Sequence, residues 1–201
     1  MNMVSPFKLF DGDANCFKLS QNTVLGNSLR AFFKDNTNDY LWKISTHRQT
    51  ITHALRHTEY INLRHLEGLD PKLTTIESNQ HMTVAWAKAA SIPLFKESLE
   101  WFLSSLEQTG ATTVEFGRIF ISKLAGNAGV DPHTDEGKYF SHYDRFHFTV
   151  TAAPDNLFVI RDQPCTLEQD SLYWVNNHVP HWLENNSSEG RINFIIDARL
   201  S

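Results

Sequence analysis

The segment TTVEFGRIFISKL, residues 112–124, opens the part of the chain that decides its fold. It is rich in β-branched and aromatic residues and ends at AGNAGVDP (125–132), a turn with two glycines and a proline. Four more short runs follow: RFHFTV (145–150), NLFVI (156–160), SLYWV (171–175) and RINFIID (191–197). Short strands at close spacing with no helix between them exclude a βαβ arrangement. They predict an antiparallel sandwich, jelly roll or barrel.

Upstream the periodicity is helical. Leu25, Leu29, Phe32 and Phe33 share one face of a helix reaching Lys34, with Asn27 or Ser28 as candidate caps. Phe95, Leu99, Phe102, Leu103 and Leu106 mark a second helix from Pro93 to about Thr109. Pro93 suits its first turn and Gly110 its stop. Residues 50–65, TITHALRHTEYINLRH, read as one or two strands. The expectation is a mainly β, α+β chain of one domain spanning 1–201. Helices and supporting strands (1–110) would pack on the outside of one sheet of a β core (111–201).

Composition limits the partners. The chain has 201 residues, 41% apolar and 20% charged, with net charge -5 and a pI near 6.0, as expected of an ordinary globular protein. Lysine and arginine are scattered, so neither nucleic acid nor an anionic membrane is an expected partner. The start MNMVSPFKLFDGD has no basic-then-apolar signal pattern, and no apolar run approaches membrane length, so a cytoplasmic protein is expected. Cys16 and Cys165 match no metal or redox spacing and read as free thiols. Ten histidines are a large share, and imidazole is a frequent metal ligand and acid–base group.

The polar run VDPHTDEGKYFSHYDRFHFTV (130–150) carries the first candidate site. On an extended strand His133 and Asp135 project to one side, about 7 Å apart at Cα. That allows both to reach one metal ion. A third ligand is available from NNHVPHWLENN (176–186), at His178 or His181. Two histidines and a carboxylate on one face of an octahedral ion leave three adjacent positions open, as in non-haem Fe(II) oxygenases. By strand alternation Arg191, Asn193, Ile195 and Asp197 share a face opposite Ile192, Phe194 and Ile196. Arg145 and His147 likewise oppose Phe146 and Phe148, and Ser122 lies on the face of Arg118 and Phe120. If the apolar faces lie under the helices, Ser122, Arg145, His147 and Arg191 point into the barrel. A buried guanidinium requires an anion. That anion is either a ligand or an internal carboxylate such as Glu115, Asp170 or Asp197.

The stretches FISKLAGNAGVDPHTD, DRFHFTV and NNHVPHWLENNSSEGRINFIID resemble the aspartyl/asparaginyl β-hydroxylase family of 2-oxoglutarate-dependent Fe(II) oxygenases, over roughly Val114 to Arg199. The resemblance rests on a serine before the first metal histidine, an Arg-x-His pair on the next strand, and an arginine ten residues after the distal histidine. It implies a double-stranded β-helix (jelly-roll, cupin-like) catalytic core in which His133, Asp135 and His181 hold Fe(II). It also implies that Arg191 pairs with the far carboxylate of 2-oxoglutarate, while Ser122, Arg145 and His147 contact this cosubstrate. O2 would be the oxidant, and succinate and CO2 would be released. Some family members have lost the carboxylate ligand; Asp135 retains it, as in the related small amino-acid hydroxylases. The implied reaction is hydroxylation of an unactivated C–H of an amino acid, an amino-acid derivative or an Asp/Asn-type peptide residue. The rival readings are a non-catalytic metal- and anion-binding jelly roll and a zinc hydrolase. No role is carried onto His53, His57 or His65. In the loop at 136–144, Tyr139, Phe140, His142 or Tyr143 is expected to line the substrate entrance.

Overall fold

The computed structural model describes residues 14–45, 57–67, 75–80 and 82–201. Strand β1 (Cys16–Gln21) leads into helix α1 (Thr23–Lys34) and a 3-10 stretch (Asn36–Ser45). Then come β2 (Thr58–Leu66), a single turn α2 (Thr75–Ser78), β3 (Val84–Trp86), a 3-10 turn (Lys88–Ser91) and helix α3 (Pro93–Glu107). The β-rich part holds β4 (Thr113–Leu124), β5 (Ala128–His133), β6 (Asp144–Thr151), β7 (Leu157–Ile160), β8 (Gln163–Cys165), β9 (Ser171–Val175), β10 (His181–Asn185) and β11 (Arg191–Leu200).

A seven-stranded sheet runs β1-β9-β6-β11-β4-β2-β3, and a four-stranded sheet runs β5-β10-β7-β8, with antiparallel pairing throughout. Strands β4 to β11 pass back and forth between the two sheets, with β7 and β8 paired in the small one, in the order of a double-stranded β-helix, so the chain is a jelly roll. β1, β2 and β3 widen the large sheet at its two edges.

Alternation divides the large sheet into two faces. Outward, Ile119 and Ile121 of β4, Phe146 and Phe148 of β6, and Phe194 and Ile196 of β11 join Leu25 and Leu29 of α1 and Phe95, Phe102 and Leu106 of α3 in one core. Each of these side chains contributes about 1.5–3 kcal/mol by leaving water. The helices therefore cover one sheet, as expected. The inward face of the same strands carries Ser122, Arg145, His147, Arg191 and Asn193 toward the small sheet.

Several local expectations need correction. The cap of α1 is neither Asn27 nor Ser28: Asn22 Oδ1 accepts from Leu25 N at 3.0 Å, and the helix starts at Thr23. Val24 is exposed, so the apolar stripe could not reveal that first turn. The turn at 125–132 is shorter than expected, because Ala128–His133 forms β5. Pro132 is tolerated there since β5 is an outer strand. One strand, β2, covers the end of the 50–65 segment; residues 50–56 lie outside the described residues. The strands β1, β3, β8 and β10 were not expected, and of His133 and Asp135, expected together on an extended strand, only His133 is on one, at the end of β5. β3 and β8 are three residues long, too short for alternation to show.

Candidate metal and anion site

His133 ends β5, and His181 begins β10 directly opposite it in register. Their rings lie 4.3 Å apart at the centroids. His133 Nδ1 hydrogen-bonds Asp131 O at 2.8 Å, and His181 Nδ1 hydrogen-bonds Val179 O at 2.9 Å. A carbonyl only accepts, so both Nδ1 atoms carry a proton, which leaves each Nε2 as the candidate ligand atom. Asp135 completes the group: one ligand atom from each of the three residues lies within 4.8 Å of the others. Of the two histidines left open by spacing, His178 is exposed and His181 is buried in the triad.

Asp135 is held from three directions. Its Oδ2 accepts from Arg145 Nη1 at 2.5 Å and from Asn177 Nδ2 at 2.9 Å, and its backbone N–H donates to Asn177 O at 3.1 Å. Burial pushes its carboxyl pKa up, but the charge of Arg145, His181, the Asn177 hydrogen bond and His133 outweigh this and hold it at about 2. Burial is the largest influence on His181 and lowers it to about 4, against the attraction of Asp135. At neutral pH the triad is therefore one carboxylate and neutral imidazole at His181, the protonation states a divalent cation needs.

Behind the triad lies Arg191, 1% exposed. Its Nε and Nη2 have no hydrogen-bond partner, and burial lowers its pKa to about 10. Arg145 differs. It forms two bonds to Asp197, Nε to Oδ1 at 2.8 Å and Nη2 to Oδ2 at 3.0 Å, besides the one to Asp135. Among the described residues an internal carboxylate is thus the partner of Arg145 and not of Arg191. His147 presents an unpartnered Nδ1, and burial together with the charges of Arg145 and Arg191 keeps it well below the usual imidazole range. Ser122, Arg145, His147 and Arg191 all line the same cavity as His133, Asp135 and His181.

The loop expectation is overturned. Tyr139, Phe140 and Tyr143 are buried in a cluster of their own and do not line this cavity, and His142 contacts Glu115 at 3.3 Å. Tyr139 instead donates to Asp197 Oδ2 at 2.9 Å and accepts from the backbone N–H of Arg118. It comes this close because residue 117 is glycine; a Cβ there would collide with the Tyr139 hydroxyl. Sequence reasoning also missed Asn177, Thr58, Tyr60 and Trp182 as site or cavity residues. Inward alternation along β2 could have found Thr58 and Tyr60. His57 and His65 are exposed, away from the cavity, and His53 lies outside the described residues.

Fold and side chains together define a jelly roll with a candidate two-histidine, one-carboxylate metal centre and a buried cation awaiting an anion. The family described as Aspartyl/Asparaginyl beta-hydroxylase matches residues 75–200, and the chain belongs to this family of hydroxylases. No curated protein sequence matches the chain. Among solved structures it is similar to a prolyl-4-hydroxylase from Pseudomonas putida, with 12% identity and a TM-score of 0.51 over 92% of this chain and 90% of that one. It is also similar to an oxidoreductase of the 2OG-Fe(II) oxygenase family from Burkholderia pseudomallei, with 8% identity and a TM-score of 0.49 over 71% and 67%. At 12% identity the likeness to the prolyl-4-hydroxylase speaks for the fold alone. No helix among the described residues is long and apolar enough to cross a membrane.

Proposed function

We propose that the chain is a 2-oxoglutarate- and Fe(II)-dependent dioxygenase. It hydroxylates an unactivated C–H of an amino acid, an amino-acid derivative or an Asp/Asn-type peptide residue, releasing succinate and CO2. The observation that carries this reading is Arg191, a buried cation with unpartnered donors in the cavity of the His133–Asp135–His181 triad. A lone buried guanidinium is costly, and a dicarboxylate entering the cavity removes that cost. A zinc hydrolase has no use for such a receptor, and a pure binder has little use for a triad that leaves metal positions open.

The donor set fits the group: one imidazole nitrogen from each of His133 and His181 and the ionised carboxylate of Asp135 suit Fe(II). Bound iron with 2-oxoglutarate and O2 would supply the oxidising chemistry. The chain's own residues do the rest. His133, Asp135 and His181 hold the ion, and Arg191 orients the cosubstrate by its distal carboxylate, with Ser122 and His147 beside it. Arg145 keeps Asp135 ionised and aimed, and its contact with the cosubstrate is made beside the carboxylates it already holds. Phe158, Val175 and Ile195 give the cavity apolar wall that keeps water out.

The test is an anaerobic titration of apo-protein with Fe(II) and 2-oxoglutarate, followed by the visible metal-to-ligand charge-transfer band. The band is expected in wild type, absent in His181→Ala, and shifted to at least 100-fold higher 2-oxoglutarate in Arg191→Ala, about 3 kcal/mol for a buried charged pair. A folded wild-type protein with no band would remove the proposal.

A further inference from the structure

Cys16 and Cys165, remote in sequence, meet where the two sheets close on each other. Cys16 opens β1, an outer strand of the large sheet, opposite Val175 of β9. Cys165 ends β8, an outer strand of the small sheet, opposite Phe158 of β7. Both are half-buried free thiols against one apolar cluster that contains Phe158, Ile160, Leu167, Tyr173 and Val175. Polar contacts hold the same two edges together. Asn15 Nδ2 donates to Gln163 Oε1 at 3.0 Å and to Ile160 O at 3.3 Å, and Lys18 Nζ meets Glu168 Oε2 at 2.5 Å. Each thiol is the largest influence on the other's pKa, lowering that of Cys16 against the effect of burial and raising that of Cys165 together with burial.

We propose that Cys16 and Cys165 are a redox pair, closed to an intramolecular disulfide by a two-electron oxidant of the peroxide class and reopened by thiols. In this pair Cys165 is the resolving thiol and Cys16 is the nucleophile. Its thiolate attacks one oxygen of hydrogen peroxide, the O–O bond breaks, and hydroxide leaves and takes up the proton that Cys16 released. Cys16 is then a sulfenic acid. The sulfur of Cys165 displaces its hydroxyl, which leaves as water with the Cys165 proton, and the S–S bond forms. Two thiols are oxidised by two electrons in all, and one peroxide is reduced to two waters.

The bond would join outer strands of both sheets, which among the described residues are tied there by polar contacts and packing. Val175 and Phe158, the strand partners of the two cysteines, both line the candidate cavity, so the bridge also braces its wall. The proposal stands on the thiols alone and does not depend on the reaction assigned to the cavity.

The test treats the full-length, reduced and desalted protein with hydrogen peroxide, blocks remaining thiols with N-ethylmaleimide in denaturant, and maps peptides without reduction. The expected result is a Cys16–Cys165 cross-linked peptide from monomeric protein, lost on adding dithiothreitol. Oxidised protein should melt about 5–10 °C higher than reduced protein, as for a disulfide closing a long loop. Cys165→Ser should stop at a dimedone-reactive sulfenic acid on Cys16, and Cys16→Ser should form neither product. The proposal is overturned if both cysteines of peroxide-treated wild type still take up N-ethylmaleimide. Sulfinic acid or intermolecular dimers in place of the internal bridge would overturn it equally.

Discussion

Arg191 occupies a position where an apolar side chain would serve the fold better. Its neighbours along β11 pack the helical core with their alternate residues, while the guanidinium faces inward without an internal carboxylate. Burial lowers its pKa from the ordinary 12.5 to about 10, so the charged form is the one folding disfavours. The sign follows: the folded chain binds fewer protons than the unfolded one between about 10 and 12.5, so the penalty is complete below about 10 and lifts as pH rises above it. Arg191→Met is accordingly expected to make the apo-protein more stable, by about 2 kcal/mol at neutral pH. Urea unfolding should show the gap constant from neutrality to mildly alkaline pH and narrowing above about 10. In thermal melts 2-oxoglutarate should stabilise wild type and leave the variant unchanged. A variant less stable than wild type at neutral pH would mean that Arg191 has a structural partner.

Between elements, the decisive feature is the register of β6 on β11, which sets Arg145 opposite Asp197. From there a chain of contacts runs outward to Tyr139 and inward to Asp135. Tyr139 belongs to the connection after β5 and is buried in a cluster outside the cavity lining, so through Asp197 and Arg145 this loop supports the candidate ligand Asp135. Tyr139→Phe leaves the Arg118 N–H without its acceptor and Asp197 with one donor fewer, at a cost of about 1–3 kcal/mol. Calorimetry should show that loss. Because Asp197 orients Arg145 and Arg145 orients Asp135, Fe(II) affinity should fall about 10-fold as well. An unchanged metal affinity in a destabilised variant would confine Tyr139 to folding.

Across the molecule, the triad lines a cavity walled by both sheets. His133 and His181 come from the small sheet, and Asp135 is tied to the large sheet through Arg145. An ion bound there connects both sheets and is absent from the unfolded chain, so metal binding should register as global stability. Mn(II), which reports binding without turnover, is expected at 100 times its Kd to add about 2.7 kcal/mol, raising Tm by about 5–10 °C. Chelation should reverse the rise and His181→Ala should abolish it, whereas His178→Ala should leave it intact.

What the chain states locally was legible before any coordinates. Strand alternation separates the core face of RINFIID and RFHFTV from the polar face, and that separation placed Arg191, Arg145, His147 and Ser122 inside. The i, i+2 spacing of His133 and Asp135 and the absence of helices after residue 112 are local as well; they raised the metal hypothesis and an antiparallel sandwich, jelly roll or barrel, and the family resemblance singled out the jelly roll. Partners distant in sequence were not legible. Spacing left His178 and His181 equal, and the start of β10 turns only His181 inward. Three candidate carboxylates stood open for the arginines, and sheet register assigned Asp197 to Arg145 and none to Arg191. The aromatic loop read as an entrance because its burial depends on Gly117 and Asp197 of other strands, and the two cysteines read as unrelated. Alternation is a property of one strand, whereas pairing depends on which strands become neighbours. Only the closing of the two sheets decides that.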